Sequence, residues 1–239
     1  IISGIYEIIE RDAYIIMWLN HLSYPRFDND QLRRLSPMLS SLLERSHRYR
    51  LKVTFVHMLT DAPAYAICAV VEDETGQSPA ITIGTAAHSS LAAAAEKALL
   101  EAMRMRRGAR ASAQKIIERD IIEIGHHDRL HYWSVGDRYK KLSFLTEGPV
   151  APLDEDVLRP VDTDDVTELS QLIAWAQKNR YEIASVAFTK SSANATPWHI
   201  EMVVMPDMQP MHLHEKFPCI GGTRLQSIPQ LFGYPAREK

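Results

Sequence analysis

A chain of 239 residues with 46% hydrophobic and 24% charged content falls in the range of ordinary globular proteins, long enough for one large domain or two small ones. With 27 basic and 30 acidic residues its formal net charge is -3, which gives no electrostatic reason to expect nucleic acid or an anionic membrane as a partner. No apolar run approaches the roughly 18 residues of a membrane span, and Glu7, Glu10, Arg11 and Asp12 stand where a signal peptide is apolar, so the expectation is a cytoplasmic protein. Cys68 and Cys219 lie far apart, each among apolar neighbours, and read as two buried free thiols.

In chain order, a helical pattern runs from Ser3 to Leu22, with Ser3 as a candidate cap and Pro25 just beyond the end. Because the chain opens at Ile1, inside this pattern, an N-terminal segment is expected to be missing. A second helix is expected over Gln31 to Ser46, opened by Asp28 and Asp30. Two β-rich runs follow, Leu51 to Met58 and Tyr65 to Val71, then a short strand at Ala80 to Ile83 and a turn through Gly84, Thr85 and His88. Ser89 to Arg107, rich in alanine and leucine, is the strongest helical pattern, and its Ala92 to Ala95 run implies close helix packing.

Beyond it, residues 109–145 are mixed, and 146–161 read as an exposed loop or linker within a single domain spanning 1–239. Helix returns over Thr163 to Asn179, and strands over Glu182 to Phe188 and His199 to Val204, before a proline-rich, irregular tail from Pro206. Trp18, Trp133, Trp175 and Trp198 are candidate core anchors. Hairpin-connected strands near 51–83 with helices on either side predict an α+β fold, a mixed sheet flanked by helices, in preference to a doubly wound parallel sheet.

The first helix carries a charged face that needs explaining. Ser3, Glu7, Glu10 and Arg11 recur at spacings of three and four, which aligns them on one face, while isoleucines, Met17 and Trp18 cover most of the rest. A helix apolar nearly all round is buried, and buried carboxylates need a partner. Glu7 and Arg11 as an ordinary i,i+4 pair is one reading, and spacing alone favours it; acids holding a cation that in turn holds phosphate oxygens is the other. His126, His127, His131, His212 and His214 lack HExxH or CxxC spacing, so a zinc site is disfavoured, and no GxSxG elbow, GxxxxGK[ST] loop or GxGxxG turn occurs. Any phosphate site must therefore use side chains and metal.

These residues resemble a known family. Ser3-Gly4-Ile5-Tyr6-Glu7-Ile8-Ile9-Glu10-Arg11 is similar to the S-x-x-x-E-x-x-E-R element of YcaO proteins, continued by Trp18 and Asn20 as in members that make azoline rings. Gly84-Thr85-Ala86-Ala87-His88 followed by Ala98-Leu99-Leu100-Glu101-Ala102 resembles the family's glycine-and-histidine turn and A-L-x-E-A helix. His127-Asp128-Arg129-Leu130-His131-Tyr132, Met205-Pro206-Asp207-Met208-Gln209-Pro210 and Gly221-Gly222-Thr223-Arg224-Leu225 resemble later elements in the same order.

The resemblance implies a YcaO-like core that binds ATP with magnesium and activates peptide amides by phosphorylating the amide oxygen, leading to azolines on a ribosomally made peptide, or to thioamides in some relatives. It implies Glu10 and Glu101 as magnesium ligands, Ser3 and Glu7 at the nucleotide, Arg11 at phosphate or orienting the acids, and Arg106 and Arg224 as further phosphate contacts. It also implies a precursor peptide and a separate leader-recognition protein as partners, and leaves a homodimer open. Two departures stand out: Arg104 occupies a position where the family carries Gln or Glu, and the closing residues Ile228 to Lys239 are not the alternating prolines of azoline-forming relatives. A catalytically inactive YcaO-like scaffold is the alternative reading.

Overall fold

The structure is a computed structural model that describes residues 1–116, 125, 129–134, 136–153, 164–188, 200–212, 214 and 216–235. Its main sheet has five strands: β1 (Arg26–Phe27), β2 (Leu51–Met58), β3 (Tyr65–Asp73), β4 (Ile81–His88) and β5 (Val150–Ala151). They lie in the order β4-β3-β2-β1-β5, all antiparallel except the β1–β5 pair, which makes the sheet mixed. β6 (Ala184–Ala187) and β7 (Glu201–Val204) form a separate antiparallel ribbon.

The interior strand β3, paired on both sides, explains the layering. Ala66 to Val71 are all fully buried, so both faces of the sheet must be covered. Period-two alternation sends Ile67, Ala69 and Val71 to one side and Ala66, Cys68 and Val70 to the other. Helix α4 (Leu91–Ile116) covers the first side through Leu91, Ala94, Ala95, Ala98 and Ala102, a small-residue stripe that permits close approach, and α3 (Pro37–Arg48) adds Leu39 and Leu43. Helix α1 (Ile2–Asn20) covers the second with Ile5, Ile9, Ala13 and Ile16, backed by α6 (Asp165–Asn179) and α7 (Arg224–Leu231).

Several expectations need correction. Ser3 lies inside α1 and caps nothing, because the helix starts at Ile2 with no side-chain cap; it stops at His21, whose left-handed φ of 52° turns the chain out. The helix expected over residues 31–46 is two. Asp28 caps a short α2 (Asn29–Leu32), and Ser36 caps α3, whose first residue, Pro37, has no N–H to continue a preceding helix. The strand expected over 80–83 runs on to His88, since Gly84 serves close approach and not a turn.

The described residues of the mixed stretch include the end of α4, α5 (Arg129–Trp133) and a 3-10 helix (Gly136–Leu145). Within the stretch read as a loop, Val150–Ala151 forms the edge strand β5, and Gly148 sits where a Cβ would overlap the Tyr24 carbonyl; residues 154–161 lie outside the described ones. The tail forms α7, and Cys219 is partly exposed where burial was expected. Trp18 and Trp175 are buried and Trp133 partly so, while Trp198 lies outside the described residues.

At Gly84 any Cβ would overlap the Ala98 carbonyl oxygen and the Ala102 nitrogen of α4. Gly84→Ala should therefore force α4 off the sheet and lower stability by about 1–3 kcal/mol. Gly221→Ala, where a Cβ meets nothing, should stay near wild type. Chemical denaturation midpoints of the two variants check this.

Candidate functional site

α1 and α4 lie on opposite faces of the sheet, yet their acids meet, because β4 is an edge strand and both helices reach its rim. Thr85 is the meeting point. Its hydroxyl donates to Glu10 Oε1 at 2.6 Å, and its backbone N–H donates to Glu101 Oε2 at 3.1 Å. The residue before it, Gly84, is what lets α4 come near enough to bring Glu101 to that N–H.

Glu10 is the strained member of the group. Burial, then the negative charges of Glu7 and Glu101, push its carboxyl up to about 7, against the opposing hydrogen bond from Thr85. Glu101 has Arg104 at 3.2 Å and Glu7 has Arg11 at 2.6 Å. Neither pairing is tight: Arg104 is 76% exposed, and Glu7 and Arg11 are 51% exposed each, so each pair contributes about 0.3–0.5 kcal/mol and yields easily to a ligand. Glu10 thus feels the charges of two further carboxylates, with two weakly held guanidinium groups beside them.

The acids separate two cavities. Glu7, Glu10, Thr85 and Glu101 belong to the walls of both. On one side lies a polar cavity of about 650 Å³ whose other walls include Ser3, Tyr6, His88, Lys97, Arg104 and Glu168. On the other lies a cavity of about 790 Å³ lined largely by Ile8, Tyr14, Ile83 and methionines.

The polar cavity has a fixed back wall. Glu168 of α6 accepts hydrogen bonds from Tyr6 Oη at 2.5 Å and from Ser89 Oγ, and these outweigh burial to keep its carboxyl below the usual range. The Tyr6 ring stacks on His88 with centroids 5.4 Å apart, and His88 Nδ1 accepts from the Ser90 N–H at 3.0 Å. That bond assigns the ring proton to Nε2. Burial and nearby Lys97 hold the imidazole below its ordinary pKa.

Of the residues expected at the site, Ser3, Glu7, Glu10, Arg11 and Glu101 are brought together around these cavities. Arg106 and Arg224 are not. Arg106 is buried, donates to the Pro79 carbonyl at 2.9 Å and pairs with Asp73, pinning α4 to the β3–β4 hairpin. Arg224 is 3% exposed and grips both Asp12 oxygens at 2.8 Å, Asp61 at 2.7 Å and Tyr181 Oη at 2.6 Å. Burial opposes its charge, but the bonds to Asp12 and Asp61 prevail and hold the guanidinium more firmly protonated than usual. Both arginines are structural ties.

Sequence reasoning missed Lys97 and Glu168, which carry no motif, and the role of Thr85, which was quoted only as part of a turn. Among the described residues no group of three or more His, Cys, Asp or Glu side chains could hold a metal ion, and His126 and His127 lie outside them. Two carboxylates still fit magnesium, which usually takes one or two from a protein and completes its shell with water and substrate phosphate. No described helix is long and apolar enough to cross a membrane.

Comparison with known proteins gives a consistent result. The family model described as YcaO cyclodehydratase, ATP- and Mg2+-binding, matches residues 1–209. Solved structures similar to the chain include a heterocyclase in complex with substrate and cofactor (TM-score 0.74, 20% identity, 100% of this chain and 30% of that one) and the heterocyclase TruD (TM-score 0.72, 20% identity, 100% and 31%). A third is YcaO from Methanopyrus kandleri bound with AMPPCP and Mg2+ (TM-score 0.59, 18% identity, 87% and 51%). At these identities the likeness establishes the fold alone, and the chain spans about three tenths of the length of the two heterocyclases. A search of curated proteins gave no match.

The raised Glu10 carboxyl makes a testable statement in the absence of metal. Because its value when folded, about 7, lies above the ordinary 4.5, the folded state takes up a proton across that window and loses stability as pH rises through it. Glu10→Gln should remove this slope and, in chelator at pH 8, be more stable than wild type by on the order of 2–3 kcal/mol. Added magnesium should narrow the gap by stabilising only the wild type. Urea titrations between pH 5 and 8 read both effects.

Proposed function

The chain belongs to the YcaO family, and on that premise we propose that it forms the nucleotide-binding core of an ATP- and magnesium-dependent enzyme that activates backbone amides of a ribosomally made peptide. The observation that carries this reading is the meeting of Glu10 and Glu101 at Thr85, between two cavities. In it, Glu10 and Glu101 hold magnesium. Ser3 and Glu7 meet the nucleotide in the polar cavity, with Lys97 and Arg104 as cationic walls toward the phosphates. Arg11, tethered to Glu7, orients that acid.

The reaction proposed is azoline formation. The thiol or hydroxyl of a Cys, Ser or Thr adds to the carbonyl carbon of the preceding amide and releases its proton. The resulting oxyanion takes the γ-phosphoryl group of ATP, and ADP departs. Loss of the amide N–H proton with cleavage of the C–O bond then expels phosphate and closes the C=N bond. Magnesium, when bound, neutralises phosphate charge and aligns the transferring group. The chain's own contribution is positional: α4 and α1 fix the acids, and Gly84 and Thr85 fix the helices' separation at the rim.

Arg104 is the feature that favours a second reading, an inactive scaffold, because its guanidinium lies against one of the two proposed metal ligands. As part of the enzyme it acts as a phosphate contact in place of a further metal-site group. A peptide substrate delivered by a separate leader-recognition protein completes the proposal.

Glu10→Gln and Glu101→Gln should each abolish peptide-dependent ADP release, by about a hundredfold or more, while the fold persists. A wild-type complex, with its peptide and partner present, that turns over no ATP identifies the scaffold. Arg104→Ala should eliminate the nucleotide binding that remains without magnesium, measured calorimetrically with and without chelator; unchanged metal-free binding removes Arg104 from the site.

A further inference from the structure

The larger cavity raises a question the reading above leaves open, namely what occupies the side of the acid pair away from the phosphates. Its apolar walls include Ile8 and Tyr14 of α1, Ile83 of β4, Met105 of α4, Val203 and Val204 of β7, and Met205, Met208 and Met211 of the segment after β7. Met205 and Met208 are anchored, because the next residue, Gln209, donates its backbone N–H to buried Asp12 at 2.7 Å. Met105 lies one helical turn beyond Glu101, on the same face of α4. The charged groups on its walls are Glu7, Glu10, Arg11 and Glu101 at the acid end and Arg129, which is bonded to the His212 carbonyl at 2.8 Å.

At about 790 Å³ the cavity has the size of a small-ligand site, and thioether side chains adapt to varied apolar shapes. A phosphate chain gains nothing from such apolar walls, and an acidic group entering the cavity meets the carboxylates of Glu7, Glu10 and Glu101 at its acid end. A polypeptide whose amide reacts at the acid pair must, by contrast, place its neighbouring residue within one residue's length of that point. We infer that this methionine-lined cavity receives the side chain flanking the reacting residue of the substrate peptide and selects large apolar side chains over acidic ones. The inference rests on the proposed function and adds a specificity-determining subsite to it.

The test uses two synthetic peptides, acetyl-Gly-Leu-Cys-Gly-amide and acetyl-Gly-Asp-Cys-Gly-amide, titrated into the protein loaded with magnesium and AMPPCP. The leucine peptide should bind at least about tenfold more tightly than the aspartate peptide. Met105→Trp and, independently, Met211→Trp fill the cavity from different walls; each should weaken the leucine peptide by about tenfold or more while affinity for magnesium-AMPPCP stays within about twofold. Equal binding of the two peptides, binding of neither, or loss of nucleotide affinity in both tryptophan variants overturns the inference, the last by placing the nucleobase in this cavity. Failure of the wild type to bind magnesium-AMPPCP at all sinks the proposed function instead, and is read in the same titrations before any peptide is added.

Discussion

The site depends on one close contact, that of α4 with the edge strand at Gly84. Helices on opposite faces of a sheet are separated by the sheet itself, and side chains on them do not ordinarily touch. Here the edge position of β4, the missing Cβ at Gly84 and the small residues Ala98 and Ala102 together bring α4 to the rim. Thr85 then connects both sides, with its hydroxyl toward α1 and its N–H toward α4. An edge strand normally exposes such N–H groups to solvent or to unwanted pairing. In this fold one of them, at Thr85, instead holds the Glu101 carboxylate.

The energetics follow from that geometry. Gathering Glu7, Glu10 and Glu101 costs the isolated protein stability, most visibly in the raised Glu10 carboxyl, and the exposed partners Arg11 and Arg104 offset only part of it. The structure confines this strain to the rim. Two buried arginines elsewhere are matched by carboxylates: Arg224 by Asp12 and Asp61, and Arg106 by Asp73. These ties lock α7 onto α1 and α4 onto the β3–β4 hairpin, so the frame stays fixed around the raised Glu10 carboxyl.

Much of this was legible in the sequence, and the failures have physical reasons. The i,i+3 and i,i+4 spacing of Ser3, Glu7, Glu10 and Arg11 placed them on one face of a helix that is apolar elsewhere, and α1 is such a helix. β2 has the boundaries read from its residue types. Local patterns misjudged Gly84, because a glycine kept for the approach of a helix to a strand looks the same in sequence as one kept for a turn. The partners of Arg106 and Arg224 were not legible for a related reason: they are residues 33 and 212 positions away, Asp73 and Asp12. Glu168 and Lys97 had no motif at all and joined the polar cavity only through packing.

In the proposed enzyme, Glu10 of α1 and Glu101 of α4 clamp one cation at the rim of β4. It is tested most directly by crystallising the protein with manganese and a non-hydrolysable ATP analogue and locating the metal by anomalous scattering. The account predicts a peak about 2.1 Å from carboxylate oxygens of both Glu10 and Glu101, with the triphosphate on the Ser3 side. A well-ordered nucleotide whose metal lies away from both residues would contradict it.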